Sequence, residues 1–277
     1  MMDRYYHSLS VADKALELIK DHNLKIDPNK AEIAGIIHDY AKFLTMDEYF
    51  ELVKEFGLDT EILDSNFKVL HAVLGPYIIK KELGIDDEEI LSAIKFHTTG
   101  KPNMKPLEEV IFLADFVEDR REGVDLIRQV AKINIKKAVA LALDFTLNKV
   151  LKLNTNLHPD TLKAYQFYKH YLNDFDKIKQ VLKTLDHNLI KDVVIYDMHK
   201  NTPLFDYFII ATSLSQRQMQ AAANYLKTEH EIRGLEEGDA WTLIDLNDVI
   251  VHLFLEDERE KYALDKLLKD VPHIVIK

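Results

Sequence analysis

The chain has 277 residues and a formal net charge of −11, with 47% hydrophobic and 30% charged residues, which is typical of a globular protein long enough for two domains. It contains no cysteine, so disulfides, thiolate catalysis and zinc–thiolate sites are excluded, and any metal site must use histidine and carboxylates. The negative charge argues against a general nucleic-acid binder, and direct DNA binding is not expected. Charges in the first twenty residues and the absence of a long apolar run indicate a cytoplasmic protein without membrane contact.

Residues 9–172 show the apolar spacing of helices, in which hydrophobic side chains recur every three to four positions. We predict helices at LSVADKALELIKDH, KAEIAGIIHDYAKFL, FKVLHAVLGPYIIKKEL, DDEEILSAIKFH, PLEEVIFLADFVEDR and IKKAVALALDFTLNKVLKL. Pro28, Gly84 and Pro106 lie near predicted helix ends. The expected first domain, residues 1–172, is therefore an all-α bundle.

After about Leu172 the pattern changes to short runs rich in Val, Ile, Tyr and Phe, which favour strands. We predict strands at DVVIYDM, DYFIIAT, AWTLIDL and DVIVHLFL, and helices at DFDKIKQVLKTLDHNL, SQRQMQAAANYLKTEHEI and EREKYALDKLLKD. The expected second domain, residues 173–277, is a smaller α/β domain. It shows no Gly-rich phosphate loop and no nucleophile–base pair, so a binding module is favoured there.

Six metal-ligand side chains lie in apolar helical surroundings of the first domain: His7, His38, Asp39, His71, His97 and Asp115. A carboxylate in such a setting is costly without a cation or a strong hydrogen-bond donor. Nitrogen and oxygen donors suit Fe, Mn, Co or Zn more than Mg, and two further histidines could hold a second ion bridged by an Asp. Single helical His and Asp residues are usually structural, so spacing alone leaves both a metal site and a structural set open.

Five motifs carry a resemblance to a known family: RYYHSLSVAD, AGIIHDYAK, IKFHTTGKP, IFLADFVEDRR and LHPDTLKAY. In this order they resemble the bacterial HD-domain symmetrical diadenosine tetraphosphate hydrolases over about residues 1–172. The resemblance implies a helical HD fold, an iron-containing metal centre and cleavage of the tetraphosphate bridge at its middle to give two ADP.

Under this resemblance the first ion is held by His7, His38, Asp39 and Asp115, and the second by His71 and His97 with Asp39 as the bridge. Ala72 follows His71 where the family usually has Gly, a departure that affects only the His71 assignment. Two divalent cations can activate water at neutral pH and neutralise charge on phosphate oxygens.

Asp39, the bridging carboxylate, and Lys42 are predicted as catalytic residues. Lys42 follows His38 by one helical turn and therefore shares its face. Contacts to the substrate phosphates are predicted for Lys42, Thr98, Thr99, Gly100, Lys101, Arg120 and Arg121. For Lys101 and Arg121 a solvated surface position is an equal alternative. His158, in the HPDT segment, is interpreted equally well as a structural cap.

The second domain carries its own resemblance, in the runs DVVIYDM, FDYFIIATSLSQRQMQA and AWTLIDLNDVIVHLFLEDEREKYALDKLL. Over about residues 175–270 they are similar to the ribosomal silencing factor family. That family implies a nucleotidyltransferase-like α/β fold with a mixed sheet. It also implies binding to the large ribosomal subunit through the interface protein numbered fourteen, which blocks subunit joining and represses translation.

Trp241, Arg259 and Tyr262 are predicted as partner contacts, because aromatic and Arg side chains dominate interface hot spots. The chain departs from this family where Arg233–Gly234 stands near the usual Glu-Gly, and where Leu267–Leu268 replaces Leu-Trp before an additional KDVPHIVIK.

The leading hypothesis is a fusion of a dinucleotide hydrolase with a ribosome-binding factor. Two alternatives for the first domain stay open, a nucleotide sensor without turnover and a general nucleotide phosphohydrolase. The identity of the metal and the oligomeric state, including a homodimer, also remain open at this stage.

Overall fold

In the computed structural model, residues 2–64, 66–153, 156–172 and 175–276 are described. The chain divides into two compact units, Met1–Tyr171 and Leu172–Lys277. Helices fill the first unit, and the second combines helices with a six-stranded mixed sheet, so the predicted fold class is confirmed. Within these described ranges, no helix combines the length and apolar character needed to cross a membrane.

The first unit contains nine described α-helices and three short 3₁₀ segments. The α-helices are α1 (Met2–Asp21), α2 (Pro28–Ile37), α3 (Met46–Glu55), α4 (Phe67–Leu83), α5 (Glu88–Phe96), α6 (Pro106–Val117), α7 (Asp125–Ala131), α8 (Ile135–Leu153) and α9 (Pro159–Tyr168), and the 3₁₀ segments are Tyr40–Phe43, Thr60–Asp64 and Lys169–Leu172. Helix α6 is apolar on nearly every side and buried along most of its length, as expected for a central helix. Helices α1, α2, α5 and α8 pack around it.

The helix ends of this unit follow from Pro and Gly chemistry. Pro28 and Pro106 occupy the first turns of α2 and α6, where a missing N–H breaks no helical hydrogen bond. Gly84 ends α4 with φ 66°, in the left-handed region that Gly adopts most easily. The helix ends predicted near these three residues are confirmed.

The single helix predicted across KAEIAGIIHDYAKFL is wrong at its centre. Helix α2 ends at Ile37, and the chain turns at His38 and Asp39 before the 3₁₀ segment Tyr40–Phe43. The Nδ1 of His38 lies 2.7 Å from the carbonyl oxygen of Gly35, so the imidazole satisfies a carbonyl that the last helical turn leaves free. Asp39 adopts φ −95° and ψ 12°, in the bridge region. The two neighbouring side chains therefore project from a helix end rather than from a helix surface.

The second unit contains four described α-helices and six strands. They are α10 (Phe175–His187), β1 (Lys191–Asp197), β2 (Tyr207–Ser213), α11 (Gln216–Glu229), β3 (Gly234–Glu237), β4 (Trp241–Asp245), β5 (Val249–Leu255), α12 (Glu256–Tyr262), α13 (Leu264–Leu267) and β6 (His273–Ile276). The strand order is β3-β4-β5-β2-β1-β6, with β2 and β5 parallel and the other neighbours antiparallel. This is the expected mixed sheet.

Three details of the second unit differ from the sequence prediction. The edge strands β3 and β6 were not predicted, because each has only four residues and β3 is rich in Glu, which disfavours strands. The closing helix is interrupted at Ala263, whose φ of 50° is left-handed, so α12 and α13 are separate helices. An apolar periodicity that continues through the break does not reveal it.

At Gly35 the backbone of α2 lies close to that of α1, and this contact gives a direct test of the packing. A Cβ at Gly35 would lie 2.6 Å from the Cα and 2.9 Å from the backbone N of Ala12, which cannot move away without separating the helices. We expect Gly35→Ala to lower the free energy of unfolding of the first unit by about 1–3 kcal/mol or more.

Scanning calorimetry of the full chain measures this change, with Gly75→Ala as the matched control. At Gly75 the nearest atom to a new Cβ is the methyl Cγ2 of Ile94 at 3.3 Å, which can shift, and Ala also favours the helix. Equal unfolding temperatures for the two variants would contradict the close approach.

Candidate metal centre

Six side chains from five helical elements converge in the first unit. They are His7 from α1, His38 and Asp39 after α2, His71 from α4, His97 after α5 and Asp115 from α6. The four imidazole rings form a continuous row. Their centroids are 5.2 Å apart for His7 and His38, 4.9 Å for His38 and His97, and 5.1 Å for His71 and His97. The structure thus brings together all six of the predicted metal ligands.

The first group of ligand atoms surrounds Nε2 of His7. This nitrogen lies 3.2 Å from Nε2 of His38, 3.2 Å from Oδ1 of Asp115 and 3.7 Å from Oδ2 of Asp39. Nε2 of His38 lies 3.6 Å from the same oxygen of Asp39 and 3.8 Å from Oδ1 of Asp115. His7, His38 and Asp39 each offer one atom within 4.8 Å of the others, a spacing that could hold a metal ion.

The second group surrounds the other oxygen of the same carboxylate. Oδ1 of Asp39 lies 3.0 Å from Nε2 of His71 and 3.6 Å from Nε2 of His97, and the two nitrogens are 3.2 Å apart. These three residues are all buried and also meet the spacing needed for an ion. Asp39 therefore presents one oxygen to each group.

The hydrogen bonding of Asp39 supports a cation as the missing partner. Its Oδ1 is buried and accepts no well-directed hydrogen bond within the described part of the chain, although His71 Nε2 is close. A buried carboxylate oxygen without a partner is costly, and a metal ion would satisfy it together with the surrounding imidazoles. The donor set of four imidazoles and two carboxylates suits a transition metal.

Two backbone carbonyls fix the orientation of the most buried histidines. Nδ1 of His38 lies 2.7 Å from the carbonyl oxygen of Gly35, and Nδ1 of His97 lies 2.7 Å from that of Ile94. A carbonyl only accepts, so each Nδ1 carries the proton and each Nε2 presents its lone pair to the cluster.

The local electrostatics also favour a cation. Helices α2 and α5 end at His38 and His97, and the carbonyl ends of helices carry partial negative charge. Burial lowers the pKa of His38 to about 4, so this ring is neutral and able to bind a metal at neutral pH. Burial would raise the pKa of the Asp39 carboxyl, but the neighbouring His71 imidazole holds it well below its ordinary value.

The remaining pair of the first group is also coupled. The Asp115 carboxylate raises the pKa of His7 by hydrogen bonding to it. Burial would raise the pKa of Asp115, but the His7 imidazole holds it below its ordinary value. Both Asp side chains are therefore anionic at neutral pH.

Two of the predicted phosphate-binding cations lie on the more open side of the cluster. Lys42 Nζ lies 2.6 Å from Oδ2 of Asp39, and its side chain is 44% exposed. A guanidinium nitrogen of Arg121 lies 4.0 Å from Oδ2 of Asp115, and that side chain is 39% exposed. Each of the two carboxylates in the cluster, Asp39 and Asp115, thus also faces a partly exposed cation.

The loop after His97 places its four predicted phosphate contacts differently. The Thr98 hydroxyl is buried and has no hydrogen-bond partner in the described chain, whereas the Thr99 hydroxyl donates to the carbonyl of Gly100. Gly100 adopts φ 63°, the left-handed conformation needed for this tight turn. Lys101 Nζ lies 2.8 Å from an oxygen of the buried Glu108. Thr99 and Lys101 therefore have internal partners, and Thr98 is left with an unused hydroxyl.

Glu118 was not recognised from the sequence as part of the site. It is buried at the end of α6, where Oε1 lies 3.8 Å from Nδ1 of His7 and Oε2 accepts hydrogen bonds from Ser10 Oγ and the backbone N–H of Arg120. The guanidinium of Arg120 lies over the ring of Tyr6, 5.9 Å from its centroid. The available signal was a further acidic residue three positions after Asp115, at the end of a largely apolar helix.

His158 lies outside the cluster contacts described above. Its Nδ1 accepts a hydrogen bond of 3.2 Å from the backbone N–H of Asp160, which caps the N-terminus of α9. The structure therefore gives this histidine the role of a helix cap.

In the second unit, Trp241 and Tyr262 belong to a group of stacked aromatic rings. The indole N–H of Trp241 donates to Nδ1 of the buried His252 at 3.0 Å, and the indole centroid lies 5.9 Å from both Phe254 and Tyr262. Tyr262 is 51% exposed. Together Trp241, Phe254, His252 and Tyr262 form what we call the aromatic face.

Arg259 is held inside the second unit. Its guanidinium donates to both carboxylate oxygens of Asp265, at 2.9 and 3.1 Å, to Thr212 Oγ1 at 2.9 Å and to the carbonyl of Asp192. The Arg259 side chain is only 15% exposed. The structure thus places this residue as a link between α12, α13 and the sheet that supports Tyr262, a network whose acidic partner was not predicted.

Comparison with known proteins identifies both parts of the chain. A family model described as HD domain matches residues 4–120, and one described as ribosomal silencing factor during starvation matches residues 172–277. Both resemblances expected from the sequence motifs are confirmed.

Individual relatives agree with these models. The symmetrical bis(5'-nucleosyl)-tetraphosphatase of Halalkalibacterium halodurans is 43% identical over 58% of this chain and 87% of the relative. The protein of the same name from Bacillus subtilis is 37% identical, over 59% and 88%. Ribosomal silencing factor RsfS of Bacillus subtilis is 34% identical over 36% of this chain and 92% of the relative.

One solved structure supports the fold of the first unit. It is from Clostridium acetobutylicum and is described as a predicted HD superfamily hydrolase involved in NAD metabolism. It is 39% identical, with a TM-score of 0.56, and the match covers 60% of this chain and 89% of the other.

The aromatic face gives a pH prediction for the second unit. Burial lowers the pKa of His252 to about 4, below its unfolded value near 6.5. As pH falls from about 6.5 towards 4, the unfolded state gains a proton that the folded state does not, so stability falls across this window by up to roughly 3 kcal/mol. Above about pH 6.5, His252 is neutral in both states and causes no loss of stability.

Urea unfolding followed by the fluorescence of Trp241, the single tryptophan, measures this dependence. In His252→Phe the loss of stability between about pH 6.5 and pH 4.5 should be smaller than in the wild type. An identical pH dependence in both proteins would show that His252 is not the responsible group.

Proposed function

Because the chain belongs to the symmetrical bis(5'-nucleosyl)-tetraphosphatase family through its HD domain and to the ribosomal silencing factor family through its second unit, we propose a bifunctional protein. Residues 1–172 hydrolyse diadenosine tetraphosphate at the middle of its bridge to give two ADP. Residues 173–277 bind the large ribosomal subunit through the interface protein numbered fourteen and block subunit joining.

The observation that carries the catalytic proposal is the division of the Asp39 carboxylate between two groups of imidazoles. Each oxygen faces a different set of Nε2 atoms, which supports a site for two ions sharing Asp39. We propose iron as the metal, with Mn, Co or Zn as alternatives suited to the same donors. When bound, these cations activate water for attack on phosphorus and neutralise charge on the phosphate oxygens.

The chain's own cations supply the remaining electrostatics. Lys42 is partly exposed and hydrogen-bonded to Asp39, and Arg121 stands beside Asp115. In the substrate complex we expect both side chains to turn towards the polyphosphate, where fixed positive charge stabilises the charge that develops on the leaving ADP. The buried Thr98 hydroxyl, which has no hydrogen-bond partner in the described chain, is a further donor in the loop after His97.

The hydrolase proposal predicts that His38→Ala lowers ADP release from diadenosine tetraphosphate. The rate of ADP release should fall by more than about 100-fold. Changes to residues that only hydrogen-bond to a metal ligand already cost up to that much activity. Product release and metal content are measured together on the full chain. His170→Ala, which changes an exposed histidine bonded to the carbonyl of Phe167, is the matched control and should keep both.

The same assay separates the alternatives for the first unit. Tight binding of the dinucleotide without turnover by the wild type would favour a nucleotide sensor. Comparable turnover of deoxynucleoside triphosphates and nucleoside monophosphates would favour a general phosphohydrolase.

The ribosomal proposal is supported by the aromatic face. Aromatic side chains dominate interface hot spots, and Tyr262 is half exposed beside Trp241. The net charge of −11 disfavours RNA as the main contact and favours a ribosomal protein.

We expect Tyr262→Ala to weaken co-sedimentation with large ribosomal subunits by about tenfold or more, as loss of a hot-spot side chain does. Tyr225→Ala is the control, because Tyr225 is 47% exposed on α11 and packs on His187 instead. Equal binding by both variants would remove the aromatic face from the interface. Unchanged binding after deletion of residues 172–277 would reject the ribosomal assignment itself.

A further inference from the structure

An exposed phenylalanine follows the candidate ligands His38 and Asp39 in the chain and is covered by an arginine of α1. Phe43 is 61% exposed and ends the 3₁₀ segment that follows Asp39. The guanidinium of Arg4 lies over its ring, 4.8 Å from the centroid. Arg4 precedes His7 by one helical turn on α1, so the two share a face and the pair borders the cluster.

A second pair of the same kind borders Asp115. The guanidinium of Arg121 lies 4.9 Å from the centroid of Phe116, and one of its nitrogens lies 4.0 Å from Oδ2 of Asp115. The ring of Phe145, which is 39% exposed, meets Phe116 edge to face at 5.8 Å. This pair therefore reaches the metal cluster through a direct contact.

Phe43 is exposed and Phe116 is half-buried, and a phenyl ring beside a guanidinium group is suited to binding a nucleobase. A base stacks on aromatic rings and on the planar guanidinium of arginine, and such stacking tolerates any base. Phosphates accept hydrogen bonds from the same arginine heads. Each pair can thus hold a nucleoside and the phosphate next to it.

The positions of the two guanidinium–phenylalanine pairs suit a ligand with two nucleosides. One pair borders Asp39 and the other borders Asp115, the two carboxylates of the cluster. A polyphosphate bridge centred on the cluster would extend towards both pairs. A mononucleotide would use only one of them.

We propose that Phe43 with Arg4 and Phe116 with Arg121 are the two base-stacking sites of the enzyme, one for each nucleoside of a dinucleoside polyphosphate. This inference rests on the proposed hydrolase function and adds the residues that select a ligand with two bases. The phenyl rings bind the bases, and the two arginines bind the outer phosphates.

The test is calorimetric binding of a non-hydrolysable methylene analogue of diadenosine tetraphosphate to the metal-loaded full chain. We expect Phe43→Ala and Phe116→Leu each to weaken binding by about tenfold, as loss of one base–aromatic stack does. Phe43→Trp, which keeps a planar ring, should retain affinity, whereas Phe43→Leu should not. Binding of inorganic tetraphosphate, which has no base, should stay unchanged in all four variants.

The control is Phe56→Ala. It removes a ring at the end of α3 that is 37% exposed and packs on Tyr77. If the Phe43 and Phe116 variants bind the analogue as Phe56→Ala does, the inference is wrong while the hydrolase function stands. An equal loss of inorganic tetraphosphate binding would also overturn it. If the wild type does not bind the analogue at all, both the inference and the hydrolase function fail.

Discussion

A buried carboxylate needs a compensating positive charge, and the first unit is organised around that need. Asp39 places its oxygens among four imidazoles, with Oδ2 towards His7 and His38 and Oδ1 towards His71 and His97. One of these oxygens is buried without a well-directed hydrogen bond in the described chain. Removing such a charge from water is costly, so a fold that keeps it there gains from holding cations at the same place.

The helices supply this arrangement because several of them end at the cluster. His38 and His97 follow the last residues of α2 and α5, and each uses Nδ1 to satisfy a free carbonyl while its Nε2 faces inward. One imidazole thus closes a helix and presents a metal-binding lone pair. Asp39 can project from the same turn because its backbone leaves the helical conformation there. The exposed side of the cluster is left to Lys42 and Arg121, which suits a polyanionic ligand.

Much of this could be predicted from the sequence, and the failures have physical causes. The six candidate ligands were singled out because His and Asp in apolar helices are unusual, and because the motifs around them resemble those of a known family. The helix break at His38 was missed because side-chain capping leaves no trace in apolar periodicity. Arg259 was predicted as a partner contact from its family-matching position and the frequency of Arg in hot spots, and that role stays a prediction; its internal partners Asp265 and Thr212 depend on tertiary contacts that the sequence does not show. Strands β3 and β6 are too short for alternation to reveal.

The central claim is that Asp39 is shared by two ions, and metal stoichiometry tests it most directly. Elemental analysis of the purified full chain and of three variants, His7→Ala, His71→Ala and Asp39→Asn, would count the ions in each. The account predicts two equivalents in the wild type, one in each histidine variant and none in Asp39→Asn. Two equivalents retained by Asp39→Asn, or a wild type that holds only one equivalent and loses it in both histidine variants, would contradict a shared carboxylate.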